Sequence, residues 1–171
     1  TCLLSLGHAE DRGKLIFEDK FDRNESQETT EEIGNGWTTN SKTRAGGNKQ
    51  VDLKNGAMQL TMHAAADHAV SVAHAAEFRD GSMTMRFMLE NEKDVLSLVI
   101  ADPECIEVHS GHLVKVDVSS KQVVVDDKKT SQMNIKFFHA IFIDGVPFAG
   151  TNLDILGIGK SNPSAIFLLS I

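Results

Sequence analysis

Apolar residues recur at every second position along most of this chain, in short runs separated by Gly, Asn and Asp. Because successive side chains of a β-strand point to opposite faces, a period of two predicts short strands with one buried face. The chain is therefore predicted to be all-β. The predicted strands cover residues 15–18, 50–53, 57–62, 69–75, 82–89, 95–101, 112–118, 122–126, 137–143 and 165–171.

Two residue pairs between predicted strands have the composition of tight hairpin turns. Asn55-Gly56 and Asp144-Gly145 each separate two alternating runs. Both pairs tolerate the positive φ angles that two-residue hairpin loops require. The sequence therefore predicts a β-hairpin at each position.

The segment 95–100 is apolar at consecutive positions, with Ser97 as its one polar residue. A strand that is apolar on both faces suits a sheet covered by a second sheet, which predicts a sandwich. The Ala-rich segment 63–76 is compatible with a helix by its composition. Val70 and Val72 are β-branched and favour a strand there instead.

Length and charge limit the number of domains and the kind of partner. A chain of 171 residues fits one domain with a single core. The net charge of -7 argues against a nucleic-acid partner, which would require clustered Lys and Arg. No apolar run approaches the roughly 20 residues that a membrane-spanning helix needs.

The start of the chain predicts export. Residues 1–6 are apolar, and Gly7 and Ala9 supply the small residues that signal peptidase prefers before the polar stretch that begins at Glu10. Residues 1–9 are therefore interpreted as the end of a signal peptide, and residues 10–171 as one domain. The protein is expected to be secreted, periplasmic or on the cell surface, with Cys105 as a single buried thiol.

A set of motifs, taken in order, resembles a known family. The segments are 15–22, the Gly-Asn-Gly-Trp of 34–37, 50–58, Asp67-His68, 108–112, 129–134 and 143–145. In this order they resemble the concanavalin A-like domains of exported bacterial proteins, and they are similar to the domains named for 3-keto-disaccharide hydrolysis. Members of that family carry a longer charged insertion before the closing strands. In the present chain Met133-Asn134 is followed almost at once by Phe137, and whether residues are missing around 134–137 stays open.

The resemblance implies a fold and a ligand. The fold is a jelly-roll sandwich of two antiparallel sheets, and the ligand is a carbohydrate or glycoside bound on the concave face. The implied activity is that of a glycoside hydrolase or lyase of the 3-keto-disaccharide type. Because jelly rolls also serve as binding modules, a non-catalytic carbohydrate-binding or cell-surface module is the alternative, and whether the chain is an enzyme stays open. A purely structural surface protein is a third possibility.

Histidines are the most unusual candidate residues. Asp67, His68, His109 and His112 are predicted as the catalytic set, because adjacent strands could bring their two groups together. Imidazoles on one sheet face can act as acid and base, bind sugar hydroxyls or ligate a metal. The alternative is that these histidines are exposed strand residues that have no joint role. The Glu-x-Asp-x-x-Glu motif of laminarinase-type jelly rolls, which supplies two carboxylates about 5 Å apart, is absent.

The predicted ligand contacts are Trp37, Asn40, Arg44 and His74. Sugars usually bind an aromatic platform beside polar side chains, and Trp37 is the one Trp of the chain. Its alternative role is a core plug that closes the sandwich. No metal site and no cofactor are predicted.

Overall fold

The computed structural model describes residues 14–78, 82–106, 108–127, 137–143, 148–156 and 164–170. In these ranges β-strands predominate, and the all-β prediction is confirmed. No helix in the described ranges is long and apolar enough to span a membrane. The elements are β1 (Thr38–Thr39), α1 (Ser41–Arg44), β2 (Val51–Lys54), β3 (Ala57–Leu60), β4 (Ser71–Glu77), β5 (Ser82–Leu89), β6 (Val95–Ala101), a 3-10 turn (His109–Gly111), β7 (His112–Ser119), β8 (Val123–Asp127), β9 (Phe137–Ile143), β10 (Phe148–Leu156) and β11 (Ser164–Ser170).

The strands form three antiparallel groups. The largest is a six-stranded sheet in the order β1-β4-β11-β6-β7-β8. A three-stranded sheet has the order β5-β10-β9, and β2 pairs with β3 alone. The strand β11, which is last in chain order, therefore lies between β4 and β6.

The core lies on one face of the six-stranded sheet. Leu98 of β6 and Val116 of β7 are register partners, and each is 1% exposed. Across from them, Met83, Met85 and Phe87 of β5 pack against the same cluster. The opposite face of β6 is also covered, because Ser97 and Val99 are buried. This arrangement agrees with the prediction of a two-sided central strand and has the character of a sandwich.

The Asn55-Gly56 turn is confirmed as a hairpin. Its two residues have φ angles of 55° and 71° and connect β2 to β3. Two consecutive positive φ angles match the twist of the flanking strands, which explains the choice of Asn and Gly. The second predicted turn, Asp144-Gly145, lies outside the described residues, although the strands on either side of it, β9 and β10, are paired.

Three strand predictions have different outcomes. Residues 15–18 form no strand, which makes that prediction wrong; Leu15 and Ile16 are exposed, and β1 occupies the edge of β4 instead. Residues 63–76 form no helix, and the predicted strand is confirmed as β4. The strand β10 was not predicted, because Gly150 and an irregular pairing next to it interrupt its alternation.

Residues 14–36 contain no regular secondary structure and are held by the Asp19 carboxylate. Burial alone would raise the pKa of Asp19, but hydrogen bonds from four donors together lower this pKa well below its usual range. The donors are Arg23 Nη1 at 2.6 Å, Trp37 Nε1 at 2.8 Å, the Phe21 N–H at 2.9 Å and Asn35 Nδ2 at 3.0 Å. Asp19 is therefore ionised at neutral pH.

A second carboxylate, Glu31, joins the same segment to α1 and β2. Its Oε2 accepts a hydrogen bond from Thr39 Oγ1 at 2.6 Å. Its Oε1 accepts from Ser41 Oγ at 2.6 Å, from the Gln50 N–H at 2.5 Å and from the Val51 N–H at 3.0 Å. We refer to Asp19 and Glu31 as the two carboxylate anchors.

Candidate functional site

An open groove of about 570 Å³ borders the β2–β3 hairpin and the loop after it. Most of its lining is polar, and Met62, 55% exposed, adds an apolar surface. Small-ligand sites are usually concave and mostly apolar with a few convergent polar groups, so a mostly polar groove of this kind suits a polar ligand. It is lined by Glu28, Lys49, Gln50, Val51, Asp52, Lys54, Gln59, Thr61, Met62, His63 and Ala64.

The buried amide of Gln50 holds the walls of this groove together. Gln50 Nε2 donates a hydrogen bond to Ser41 Oγ of α1 at 3.2 Å. Gln50 Oε1 accepts from the His63 N–H at 3.0 Å, and the Gln50 carbonyl accepts from the Thr61 N–H at 2.8 Å. Gln50, which directly precedes β2, is therefore bonded both to α1 and to the loop after β3. These bonds fix the walls of the groove, so the groove is largely formed before a ligand binds.

Lys49 and Asp52 form an ion pair at the groove. Lys49 Nζ lies 2.9 Å from Asp52 Oδ1 and also donates to the Gln27 carbonyl. The hydrogen bond from Lys49 lowers the pKa of Asp52 against the opposing effect of burial. Asp52 is therefore an ionised acceptor at neutral pH.

His63 offers a hydrogen-bond donor at the groove. Its Nδ1 accepts from the Ala65 N–H at 3.1 Å, so in the neutral ring the proton is on Nε2. Within the described part of the chain, Nε2 has no hydrogen-bond partner. It is therefore free to donate to a ligand.

The structure brings four of the predicted site residues together where α1 meets the loop before β4. Arg44 Nη1 lies 3.9 Å from Asp67 Oδ2, and the Arg44 carbonyl accepts from the Asp67 N–H at 2.9 Å. His68 Nδ1 donates to the Ala69 carbonyl at 3.1 Å. The amide of Asn40 bonds the Ala69 carbonyl at 2.8 Å and the Ser71 N–H at 3.1 Å. The Asn40 amide thus already has two backbone partners.

The other two predicted catalytic histidines lie elsewhere. His109 and His112 contact each other, with ring centroids 5.9 Å apart. His109 lies in the 3-10 turn before β7, and His112 is the first residue of β7. The strands β11 and β6 lie between β7 and β4, so three strand spacings, about 14 Å, separate β7 from β4. His112 is in register with Ala101 of β6, which aligns with the far end of β4, whereas His68 precedes the start of β4. The expected approach of His68 to His109 and His112 is therefore absent, and their catalytic roles stay predictions.

The predicted contacts Trp37 and His74 lie in an aromatic cluster with Phe17. The Phe17 and His74 ring centroids are 3.6 Å apart, and Trp37 packs against both rings. Trp37 Nε1 bonds Asp19, while His74 Nε2 donates to the Asn35 carbonyl at 3.0 Å and His74 Nδ1 is buried without a partner in the described residues. This packing agrees with the alternative role of Trp37, in which its ring fills the end of the core and does not contact a ligand.

Sequence reasoning did not identify the groove. The available signal was the polar residues Gln50, Asp52 and Lys54, which share one parity in the strand whose other positions, Val51 and Leu53, are buried. Glu31 was missed because it lies in a continuous polar stretch that carries no periodicity.

The described residues contain no group of three or more His, Cys, Asp or Glu side chains that could hold a metal ion. The family resemblance rests on the sequence motifs alone. No family model, no curated protein and no solved structure matches this chain.

Proposed function

We propose that the protein is an exported carbohydrate-binding domain with a jelly-roll sandwich fold, and that the groove beside the β2–β3 hairpin holds the sugar. The observation that carries this proposal is the pre-formed polar groove with its fixed donors and acceptors. The antiparallel sheets support the jelly roll, and the apolar start followed by Gly7 and Ala9 supports export.

The chemistry of the lining matches that of a sugar ring. Sugar hydroxyls both donate and accept hydrogen bonds, and the groove offers an ionised acceptor in Asp52 and a donor in His63 Nε2. The exposed thioether of Met62 can cover the apolar C–H face of a sugar, since Met adapts its shape to irregular surfaces. It would take the place of the aromatic platform that many sugar sites use.

The geometry favours binding over hydrolysis. A glycoside hydrolase needs a carboxylic acid whose pKa is raised, close to a second carboxylate. In the groove, the pKa of Asp52 is lowered, so Asp52 cannot donate a proton at neutral pH. The predicted acid and base candidates His68 and His109 lie in the loop before β4 and in the 3-10 turn before β7, and β11 and β6 separate these two strands. Turnover of a 3-keto-glycoside is therefore the competing outcome of the experiment below.

The test is a glycan array with the full chain, followed by calorimetric titration of the best ligand and a turnover assay on 3-keto-glycosides. His63→Ala is expected to weaken binding about tenfold, the value of one hydrogen bond to a ligand. His109→Ala is the matched control, because it removes an exposed imidazole outside the groove, and it is expected to bind normally.

Three results would contradict the proposal. They are failure to bind any glycan, equal affinity of His63→Ala and the wild type, and turnover that His68→Ala or His109→Ala abolishes. The last result would instead support the hydrolase that the resemblance implies.

A further inference from the structure

The outer edge of the six-stranded sheet is formed by β8. Within the described residues, β8 pairs with β7 and with no other strand. Val124 and Val125 are 44% and 42% exposed. Because neighbouring strand residues point to opposite faces, both faces of the sheet carry an exposed valine at this edge. An open edge with apolar side chains is a template for pairing with another strand.

The hydrogen-bond phase of β7 and β8 shows which backbone groups face this edge. The Ser119 N–H donates to the Gln122 carbonyl at 3.0 Å and closes the hairpin with a hydrogen-bonded pair. Bonded and non-bonded pairs alternate along an antiparallel ladder, so Val124 is bonded to β7 and Val123 and Val125 are not. The N–H and C=O groups of Val123 and Val125 therefore point away from β7.

We propose that β8 pairs antiparallel with β8 of a second copy of this chain, around a twofold axis at Val124. In this register Val123 of one copy exchanges hydrogen bonds with Val125 of the other, which gives four backbone bonds across the axis. Val124 faces its own symmetry mate in a non-bonded pair. The two six-stranded sheets become one continuous sheet.

The side chains select this register over its neighbours. A continuous sheet requires the twofold axis to pass through a residue, because register partners share one face. An axis at Val125 would place Val123 opposite Asp127, and an axis at Val123 would place Val125 opposite Lys121. The axis at Val124 pairs valines with valines.

The pairing is expected to be reversible. Two strands of five residues bury less surface than the roughly 1,200 Å² of a stable interface, so the dimer should form with rising concentration. The proposal does not rest on the groove, since β2 and β3 take no part in the pairing.

A cysteine placed on the axis tests the register. In a chain with Cys2→Ser and Cys105→Ala, Val124→Cys should form a covalent dimer on mild oxidation, because Cα atoms of a non-bonded pair are about 4.5 Å apart and within disulfide reach. Gln122→Cys is the matched control. It is exposed at the same parity, yet the two copies of residue 122 would be about 13 Å apart in the dimer. Equal cross-linking of both variants, or of neither, would overturn the proposed register.

Sedimentation of the wild-type chain between about 1 µM and 1 mM tests the association itself. Val125→Pro removes an N–H that faces the open edge and keeps the β7 ladder, so dimerisation should weaken at least about tenfold. Val125→Thr keeps the N–H and should dimerise as the wild type does. A monomer throughout the concentration range, with circular dichroism showing a folded chain, would overturn the proposal.

Discussion

The centre of the six-stranded sheet and the segment 14–50 are stabilised by different means. In β6 and β7, Leu98, Ile100 and Val114 are each at most 2% exposed, and neighbouring strands provide the backbone partners. Segment 14–50 has only β1 and α1 as regular elements. In this segment the two carboxylate anchors, Asp19 and Glu31, accept hydrogen bonds from N–H groups that have no partner strand to bond.

The comparison shows how a chain without regular structure can still be fixed in place. Buried N–H and O–H groups must find acceptors, and an ionised carboxylate has two oxygens with about four acceptor positions. Each anchor therefore does the work of several backbone carbonyls. The sheet distributes its stabilisation over many small contacts, whereas segment 14–50 concentrates it on two side chains.

The largest effect is expected in the sheet. Leu98→Ala should lower the free energy of unfolding by about 2–5 kcal/mol, because it removes a fully buried side chain and leaves a cavity. Urea denaturation monitored by circular dichroism measures the change. Val124→Ala is the control, since Val124 is 44% exposed and should change stability little. Equal losses in the two variants would contradict a core centred on β6.

Glu31→Ala should cost about 2–4 kcal/mol, nearly as much as the core substitution, because it leaves several donors without an acceptor. The neighbouring Glu32→Ala is the matched control, because the Glu32 side chain is exposed. Denaturation of both variants in urea gives the comparison. If Glu31→Ala were as stable as Glu32→Ala, segment 14–50 would not depend on this anchor.

Asp19→Asn should cost about 1–3 kcal/mol at pH 7, because the charge-assisted bonds from Arg23 and Trp37 weaken. The pKa of Asp19 is lower in the folded than in the unfolded chain. Its stabilisation is therefore complete above the unfolded value of about 4 and is lost as the pH falls through the folded value. The difference between wild type and variant should shrink below about pH 4.

The measurement for Asp19 is urea denaturation at pH 7 and pH 3, with Asp22→Asn, an exposed carboxyl, as the control. A difference that stayed constant between the two pH values would contradict the assignment of this anchor as an ionised acceptor.

The smallest effect is expected at the ion pair of Arg44 and Asp67. Its side chains are 50% and 68% exposed and 3.9 Å apart, so Arg44→Ala should cost at most about 0.5 kcal/mol. Adding 0.5 M NaCl should remove most of that difference, since exposed charges are screened. A loss as large as that of Glu31→Ala would show that α1 depends on this pair.

The positions of most strands could be predicted from the sequence, but their order in the sheets could not, and less of the site could be predicted. Alternation located β5, and a continuous apolar run located β6, because Met83, Met85 and Phe87 of β5 pack against the core cluster that contains the buried residues of β6. It could not locate the anchors, since a carboxylate that accepts buried hydrogen bonds looks like any surface Glu or Asp in the sequence. It also placed His68 and His109 together, because the insertion of β11 between β4 and β6 is a tertiary event that local pattern does not encode.

The position of β11 has a consequence for the order of synthesis and folding. β4 and β6 are made early, but neither can join the other until residues 164–170 have been synthesised to lie between them. Contacts between residues so distant in the chain form slowly, because a long loop must close before they contribute. Local pairs such as β2–β3 and β6–β7–β8 can form during synthesis, but the six-stranded sheet is completed only when its last strand has been made.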